Sequence, residues 1–308
     1  MDRTNDVIVG TLSGRNMGEL NCGYGWHDFE NYAVSLLRSG FQGRKILFVC
    51  NITSDARARL QACGIYPIDF SIEDYSFGGQ THGVCTARWK ILHDWLATQT
   101  DVRYVIQNDV RDVIIQTDPS TWLEKQSGAK IFVASECILY KDELPNRVWF
   151  ERLYGSQVLE TFANEEIASA GIVSGEAEAI RRLALRVYQN CTERFGDDQS
   201  AYNYVLRTEF AKEMRVTSPV EGYALTVGWY HIGEGAVHQP GPNTAPGTRP
   251  SPEEQAVGKK SMLVARPPSF REGVVYPYGS DTPFCMIHQY DHSTEWADVI
   301  DARYRTRT

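Results

Sequence analysis

The chain has 308 residues, 42% hydrophobic and 23% charged, with a formal net charge of −8. This composition supplies a globular core and excludes extensive disorder, and its acidic balance excludes a broad nucleic-acid-binding surface, which needs clustered Lys and Arg. No run approaches the roughly 18 apolar residues of a membrane span, and "MDRTNDVIVG" lacks the basic start and apolar stretch of a secretory leader. The expected location is therefore cytoplasmic, with the seven scattered cysteines as free thiols because none forms a CxxC pair. The sequons Asn51-Ile52-Thr53 and Asn190-Cys191-Thr192 carry little weight on that reading.

In chain order, "DVIVGTL" reads as a short apolar strand. "WHDFENYAVSLLRSG" places Phe29, Tyr32, Ala33, Leu36 and Leu37 at helical spacing, with Gly40 to end the helix. "KILFVCNI" has strand length. "SDARARLQACG" predicts a helix capped near Ser54 or Asp55 and stopped by Gly64. "IYPIDFSI" is a further strand, and "THGVCTARWKILHDWLATQT" a helix with Trp89, Leu92 and Leu96 on one face. Next comes "YVIQNDVRDVIIQTDPSTW", in which two apolar runs are separated by Asp109, Arg111 and Asp112. The β-α-β order and continuous apolar strands predict an α/β fold with a mostly parallel sheet covered on both faces. Such sheets bind ligands at the carboxyl ends of their strands, and the acidic cluster falls at that edge.

In the second half, "GEAEAIRRLALRVYQNCTERFG" is an amphipathic helix. "DDQSAYNYVLRTEF" starts another, with Asp197, Asp198 and Gln199 at its N-terminal end. "GEGAVHQPGPNTAPGTRPSPEEQ" predicts a long surface loop. The expected organisation is a core over residues 1–232, a Gly/Pro-rich surface loop over 233–260, and a C-terminal segment over 261–308.

The dinucleotide fingerprint GxGxxG and the phosphate loop GxxxxGK[ST] are absent; "GTLSGRNMG" has the wrong spacing. Mg²⁺ or Mn²⁺ prefers oxygen ligands and bridges carboxylates to substrate phosphates, so Asp109 and Asp112 at a strand exit suit a cation that neutralises a departing diphosphate. A structural reading competes: Asp109 pairs with Arg111, and Asp118 before Pro119 caps the helix "PSTWLEK", the preferred role for Asp118.

The chain resembles nucleotide-sugar-dependent glycosyltransferases of the GT-A fold. "YVIQNDVRDVIIQTDP" is similar to their acidic DxD-type strand exit, "ARWKILHDWL" to the preceding helix, "SAGIVSGEAEAI" to a small-residue turn beside the donor sugar, "DDQSAYNYVL" to an Asp-Gln helix start, and "MIHQYDH" to a late metal-binding His. The resemblance spans residues 5 to 292. It departs from the usual pattern in that two residues, Val110 and Arg111, separate the acids, so that Asp112 matches the chelating acid and Asp109 sits one place early. Ser169 and Ala170 stand where Asn and a small residue are usual.

This resemblance implies transfer of a sugar from a UDP- or GDP-sugar donor to a carbohydrate or other acceptor hydroxyl, with retention favoured over inversion. It implies Mn²⁺ or Mg²⁺ held by Asp109, Asp112 and His288. Donor contacts would come from Thr11, Ser13, Arg88, Asp109, Arg111, Ala170, Gly171 and Gln199. Asp198 would be the catalytic base if the enzyme inverts. Gly171 and Gly175 would let backbone approach the sugar or would serve only a turn. His82 could meet a phosphate, and Trp229 and Tyr230 read as core residues or as an acceptor platform. Two other classes remain open: a sugar nucleotidyltransferase using Gly14, Arg15 and Gly18, and a non-catalytic carbohydrate-binding protein.

Overall fold

Along the strand Val7–Ser13, alternate side chains enter two different cores. Val7 and Val9 pack with Ile46 and Phe48 on one face, and Ile8 and Leu12 with Leu47 and Val49 on the other. A strand with period-2 side chains and helices on both faces needs apolar residues at every position, which is why these strands read as unbroken runs. The computed structural model describes residues 2–13, 24–77, 80–81, 83–192, 194–233 and 251–305. Gly14, Arg15, Gly18, Cys22, His82 and His238 lie outside them.

The central sheet has seven strands in the order Met214–Thr217, Ile131–Leu139, Glu166–Glu176, Tyr104–Asn108, Val7–Ser13, Arg44–Cys50 and Tyr66–Asp69. Glu166–Glu176 is antiparallel to both its neighbours, and every other adjacent pair is parallel. A three-stranded sheet adjoins it, with Met286–His288 in the middle, parallel to Ala224–Thr226 and antiparallel to Val113–Ile115. This is the mainly parallel α/β architecture expected from the sequence.

Helix Val84–Ala97 buries Trp89, Leu92 and Leu96 on the predicted face, with roughly 1.5–3 kcal/mol gained for each fully buried leucine. Trp89 stacks on Tyr202 of helix Asp197–Thr208, ring centroids 5.4 Å apart. This contact ties the helix before the acidic strand to the helix that begins Asp197-Asp198-Gln199. Asp118 caps helix Pro119–Leu123 as preferred, its Oδ1 accepting from the Ser120 amide at 2.9 Å.

Several details differ from the sequence reading. Leu37 points outward, 52% exposed, because helix Glu30–Arg38 turns its buried stripe through Tyr32, Ala33 and Leu36. The cap of helix Ser54–Ala62 is Thr53, whose hydroxyl accepts from the Ala56 amide at 3.2 Å, one residue before the expected pair. Ser169, Ala170, Gly171 and Gly175 lie inside the eleven-residue strand Glu166–Glu176 and not in a turn. Within the Gly/Pro-rich stretch, Pro252–Gly258 is helical, capped by Ser251, whose hydroxyl accepts from the Glu254 amide; residues 234–250 lie outside the description. Cys50, Cys63, Cys85, Cys137, Cys191 and Cys285 are free thiols. No described helix is long and apolar enough to cross a membrane.

Candidate metal and donor site

Strand Tyr104–Asn108 ends at the carboxyl edge of the sheet, and the turn that follows carries Asp109 to Asp112. The Asp109 amide donates to the Gly171 carbonyl at 2.8 Å, which fixes the exit direction. The chain then enters Val113–Ile115, where Val113 pairs with His288. The Gln289 amide donates to the Asp112 carbonyl at 2.8 Å. Gln289 adopts φ 59°, a left-handed conformation uncommon for a non-glycine residue, so the chain turns sharply just past His288. Two segments far apart in sequence are thus clamped to each other beside the acids.

The result is a three-ligand cluster. His288 Nε2 lies 3.5 Å from Asp109 Oδ2 and 3.6 Å from Asp112 Oδ2. One donor atom from each of the three falls within 4.8 Å of the others. On the other side of the ring, Nδ1 is 3.3 Å from both Ser169 Oγ and Thr226 Oγ1. Hydroxyls at one ring nitrogen orient the other toward the carboxylates, as the outer partners of metal-binding imidazoles do.

The carboxylates and the imidazole of this cluster set one another's charge. Burial opposes a charged His288, but Asp112 and Asp109 overcome it and hold the imidazole up to about 10. Burial would raise Asp112, yet His288 and then Arg111 keep it well below the usual carboxylate range. Asp109 is likewise lowered, Arg88 and His288 outweighing burial. Asp291 stands behind them, raised to about 7 by burial and by Asp112.

Arg88 is the second hub. Its Nη1 donates to Asp109 Oδ1, and its Nη2 donates to Asp198 Oδ2 at 3.0 Å and to the Ala170 carbonyl at 3.1 Å. The pairing of Asp109 with Arg111 does not occur: Arg88 reaches Asp109 from the helix above, while Arg111 points away, 3.9 Å from Asp291. Arg88 occupies Oδ1 and leaves Oδ2 facing His288.

Thr11, Ser13, Arg88, Asp109, Arg111 and Asp112 line one cavity of about 170 Å³. Six of the sequence-predicted residues therefore meet at one opening. Ala170, Gly171, Asp198 and Gln199 lie a layer deeper. Gln199 Oε1 accepts from the Ala170 amide at 2.8 Å, and its Nε2 donates to the Ala168 carbonyl at 2.9 Å. Asp198 is 7% exposed and bound to Arg88. A Cβ at Gly171 would overlap the His288 ring, and one at Gly175 would strike the Lys130 carbonyl. Trp229 and Tyr230 are half-buried and pack against apolar cores. The orienting role of Thr226 had no signal in the sequence.

The sheet order, the acidic exit from the strand beside Val7–Ser13 and the late imidazole together define a GT-A fold. Among solved structures, the galactosyltransferase LgtC in complex with donor and acceptor sugar analogues aligns over 98% of this chain and 97% of its own, at 11% identity and a TM-score of 0.50. An active-site glutamine-to-glutamate mutant of LgtC aligns with the same coverage, identity and score. Comparison with protein-family models and with curated protein sequences finds no match.

Proposed function

We propose that this protein transfers a glycosyl group, hexosyl or pentosyl, from a UDP- or GDP-sugar to an acceptor hydroxyl, and that the transfer depends on a divalent cation. The observation that carries this is the cluster of Asp109, Asp112 and His288, whose two carboxylates line a cavity on a GT-A fold. Two carboxylate oxygens and one imidazole nitrogen fit Mn²⁺, and Mg²⁺ less closely because it favours oxygen throughout. When bound, the cation would neutralise charge on the diphosphate as the sugar departs.

The chain's own residues do the rest. Thr11 and Ser13, at the end of Val7–Ser13, face the space for the nucleoside. Arg111, with 45% of its side chain exposed at the cavity, is placed to meet a phosphate. Arg88 is a positioning residue, since its donors already hold Asp109, Asp198 and the Ala170 carbonyl. Gln199, locked by three polar contacts beneath the site, is placed to position the donor layer. Retention of anomeric configuration is the outcome we favour, following the resemblance of the Asp198-Gln199 helix start.

The test is a melting-temperature panel of UDP, GDP and their sugar conjugates, with Mn²⁺ or with EDTA. A ligand that binds only the folded state raises the transition. A rise that needs both nucleotide and Mn²⁺ supports the proposal; no rise with any nucleotide refutes it.

A further inference from the structure

We propose that Glu136 takes the proton of the attacking acceptor hydroxyl, its carboxylate held in place by the side-chain amide of Gln199. This rests on the glycosyl-transfer reading above and adds to it the destination of the proton.

The carboxylates of the metal and donor layer are already committed. Asp109 faces Arg88 and His288, Asp112 faces His288, and Asp198 accepts from Arg88. Glu136 differs from all three: among the described residues it has no ion pair with Arg, Lys or His. It sits in an irregular stretch of strand Ile131–Leu139, where the register against Glu166–Glu176 shifts on both sides of Ser135. The next residue, Cys137, is buried at φ 58°. Irregularities of this kind re-aim a side chain, and this one turns Glu136 toward the first turn of helix Asp197–Thr208.

There the Gln199 amide has only one consistent orientation. A backbone amide must donate, so the atom bonded to the Ala170 N–H is Oε1 and the other is the NH₂ group. That Nε2 donates to Glu136 Oε1 at 3.0 Å. Among the described residues Glu136 Oε2 has only a long 3.5 Å approach from Asn146 Nδ2, which leaves it lone pairs to accept from a hydroxyl. Beside it, Glu143 Oε1 and Asn146 Oδ1 are buried without hydrogen-bond partners among the described residues, in residues 1% and 5% exposed. Buried polar atoms left this way call for a water or a ligand hydroxyl. The cluster also connects to the metal ligands: Glu136 bonds Gln199, Gln199 bonds Ala170, and the adjacent Gly171 lies under His288.

The charged groups facing Glu136 are Glu143, at the N-cap of helix Leu144–Tyr154, and His288; Gln199 and Asn146 are neutral. Burial first, then Glu143, lift the Glu136 carboxyl to about 8 against the pull of His288. Its carboxylate is then a stronger base than a phosphate oxygen, whose pKa is about 6. In the step proposed, the acceptor oxygen bonds to the anomeric carbon on the face from which the diphosphate departs, as the favoured retention requires, and the bond from that carbon to the diphosphate oxygen breaks. The electron pair leaves with the nucleoside diphosphate, and the hydroxyl proton passes to Glu136 Oε2.

The experiment follows nucleoside diphosphate release from UDP-galactose, UDP-glucose and GDP-mannose with Mn²⁺, water serving as acceptor. Glu136→Gln and Glu136→Ala are expected to lower the rate at least about 100-fold while keeping the melting-temperature rise caused by Mn²⁺ with UDP or GDP. Formate should restore Glu136→Ala at least tenfold and leave Glu136→Gln unchanged. The wild-type rate should climb as pH rises through about 8, and that limb should vanish in Glu136→Gln. Retention of a third or more of the rate in either variant, absence of formate rescue, or a matching loss of the Mn²⁺–nucleotide rise overturns the proposal. Wild-type protein that binds the nucleotide but releases none from a donor overturns it too. Failure of the wild type to bind any nucleotide instead removes the functional reading beneath it.

Discussion

Gly171 lies directly beneath the imidazole of His288, and a methyl group there would occupy the space of the ring. The ring is packed in by its neighbours, with 4% of the residue exposed, so it has little room to retreat. Gly171→Ala should therefore push Nε2 away from Asp109 and Asp112. Mn²⁺ affinity should fall roughly 10–100-fold, with about 1–3 kcal/mol of overpacking cost to stability. Gly175→Ala is the control. Its Cβ meets the Lys130 carbonyl and not the imidazole, so it should lower stability and spare Mn²⁺ affinity. Equal Mn²⁺ affinities in the two variants would argue against His288 as a ligand.

Asp112→Asn keeps the shape of the side chain and removes its charge. Wild-type protein should melt a few degrees higher with UDP or GDP at saturating Mn²⁺ than with EDTA. In Asp112→Asn that difference should disappear. If it persists, the cation is bound elsewhere.

Arg88 compensates Asp198, which is 7% exposed, and also holds Asp109. Removing one partner of a buried pair leaves the other uncompensated, so Arg88→Ala should cost about 3–5 kcal/mol. Arg88→Lys supplies charge without the planar fork that reaches two carboxylates and a carbonyl, and should recover only part of that stability. Chemical denaturation of the two variants checks the order; Lys matching Arg would mean that charge alone matters here.

Far from the cavity, Glu124 accepts from Arg3 Nη2 at 2.6 Å and from Arg103 Nη1 at 2.9 Å, and Arg103 also binds Asp6. Hydrogen bonds from Arg3 and then Arg103 hold the Glu124 carboxyl down to about 2 from its ordinary 4.5. A depressed carboxyl stabilises the fold above its unfolded pKa, and this contribution fades as pH falls from 4.5 through about 2. Glu124→Gln should cost about 1 kcal/mol at pH 7, as the network is partly exposed. The gap from wild type should narrow across that acidic window. A gap that stays constant down to pH 2 would assign the effect to packing.

Much of the fold was legible because period and punctuation agree in the first half. The run "KILFVCNI" and the helix bearing Trp89, Leu92 and Leu96 appear as expected. The acids, Arg88 and His288 were also readable, by residue type and order. Less readable was how they partner. Arg111 is adjacent to Asp112 in sequence, yet the residue holding Asp109 is Arg88, from a helix that only the tertiary fold brings near. Ser169 to Gly175 looked like a turn because small residues mark turns. They are small here because a strand packed between two others must admit the His288 ring and the Lys130 backbone. Glu136 is silent in the sequence because one Glu in an apolar strand carries no periodic signal, and its re-aiming comes from a register shift that exists only in the paired sheet.

The strand Met286–His288 joins Val113–Ile115 across a long stretch of intervening chain. During synthesis the acidic turn leaves the ribosome well before the strand that carries its imidazole, and the cluster of Asp109, Asp112 and His288 forms only once both have emerged. A fragment cut short of Met286 would keep every strand of the central sheet and still lack the third member of that cluster.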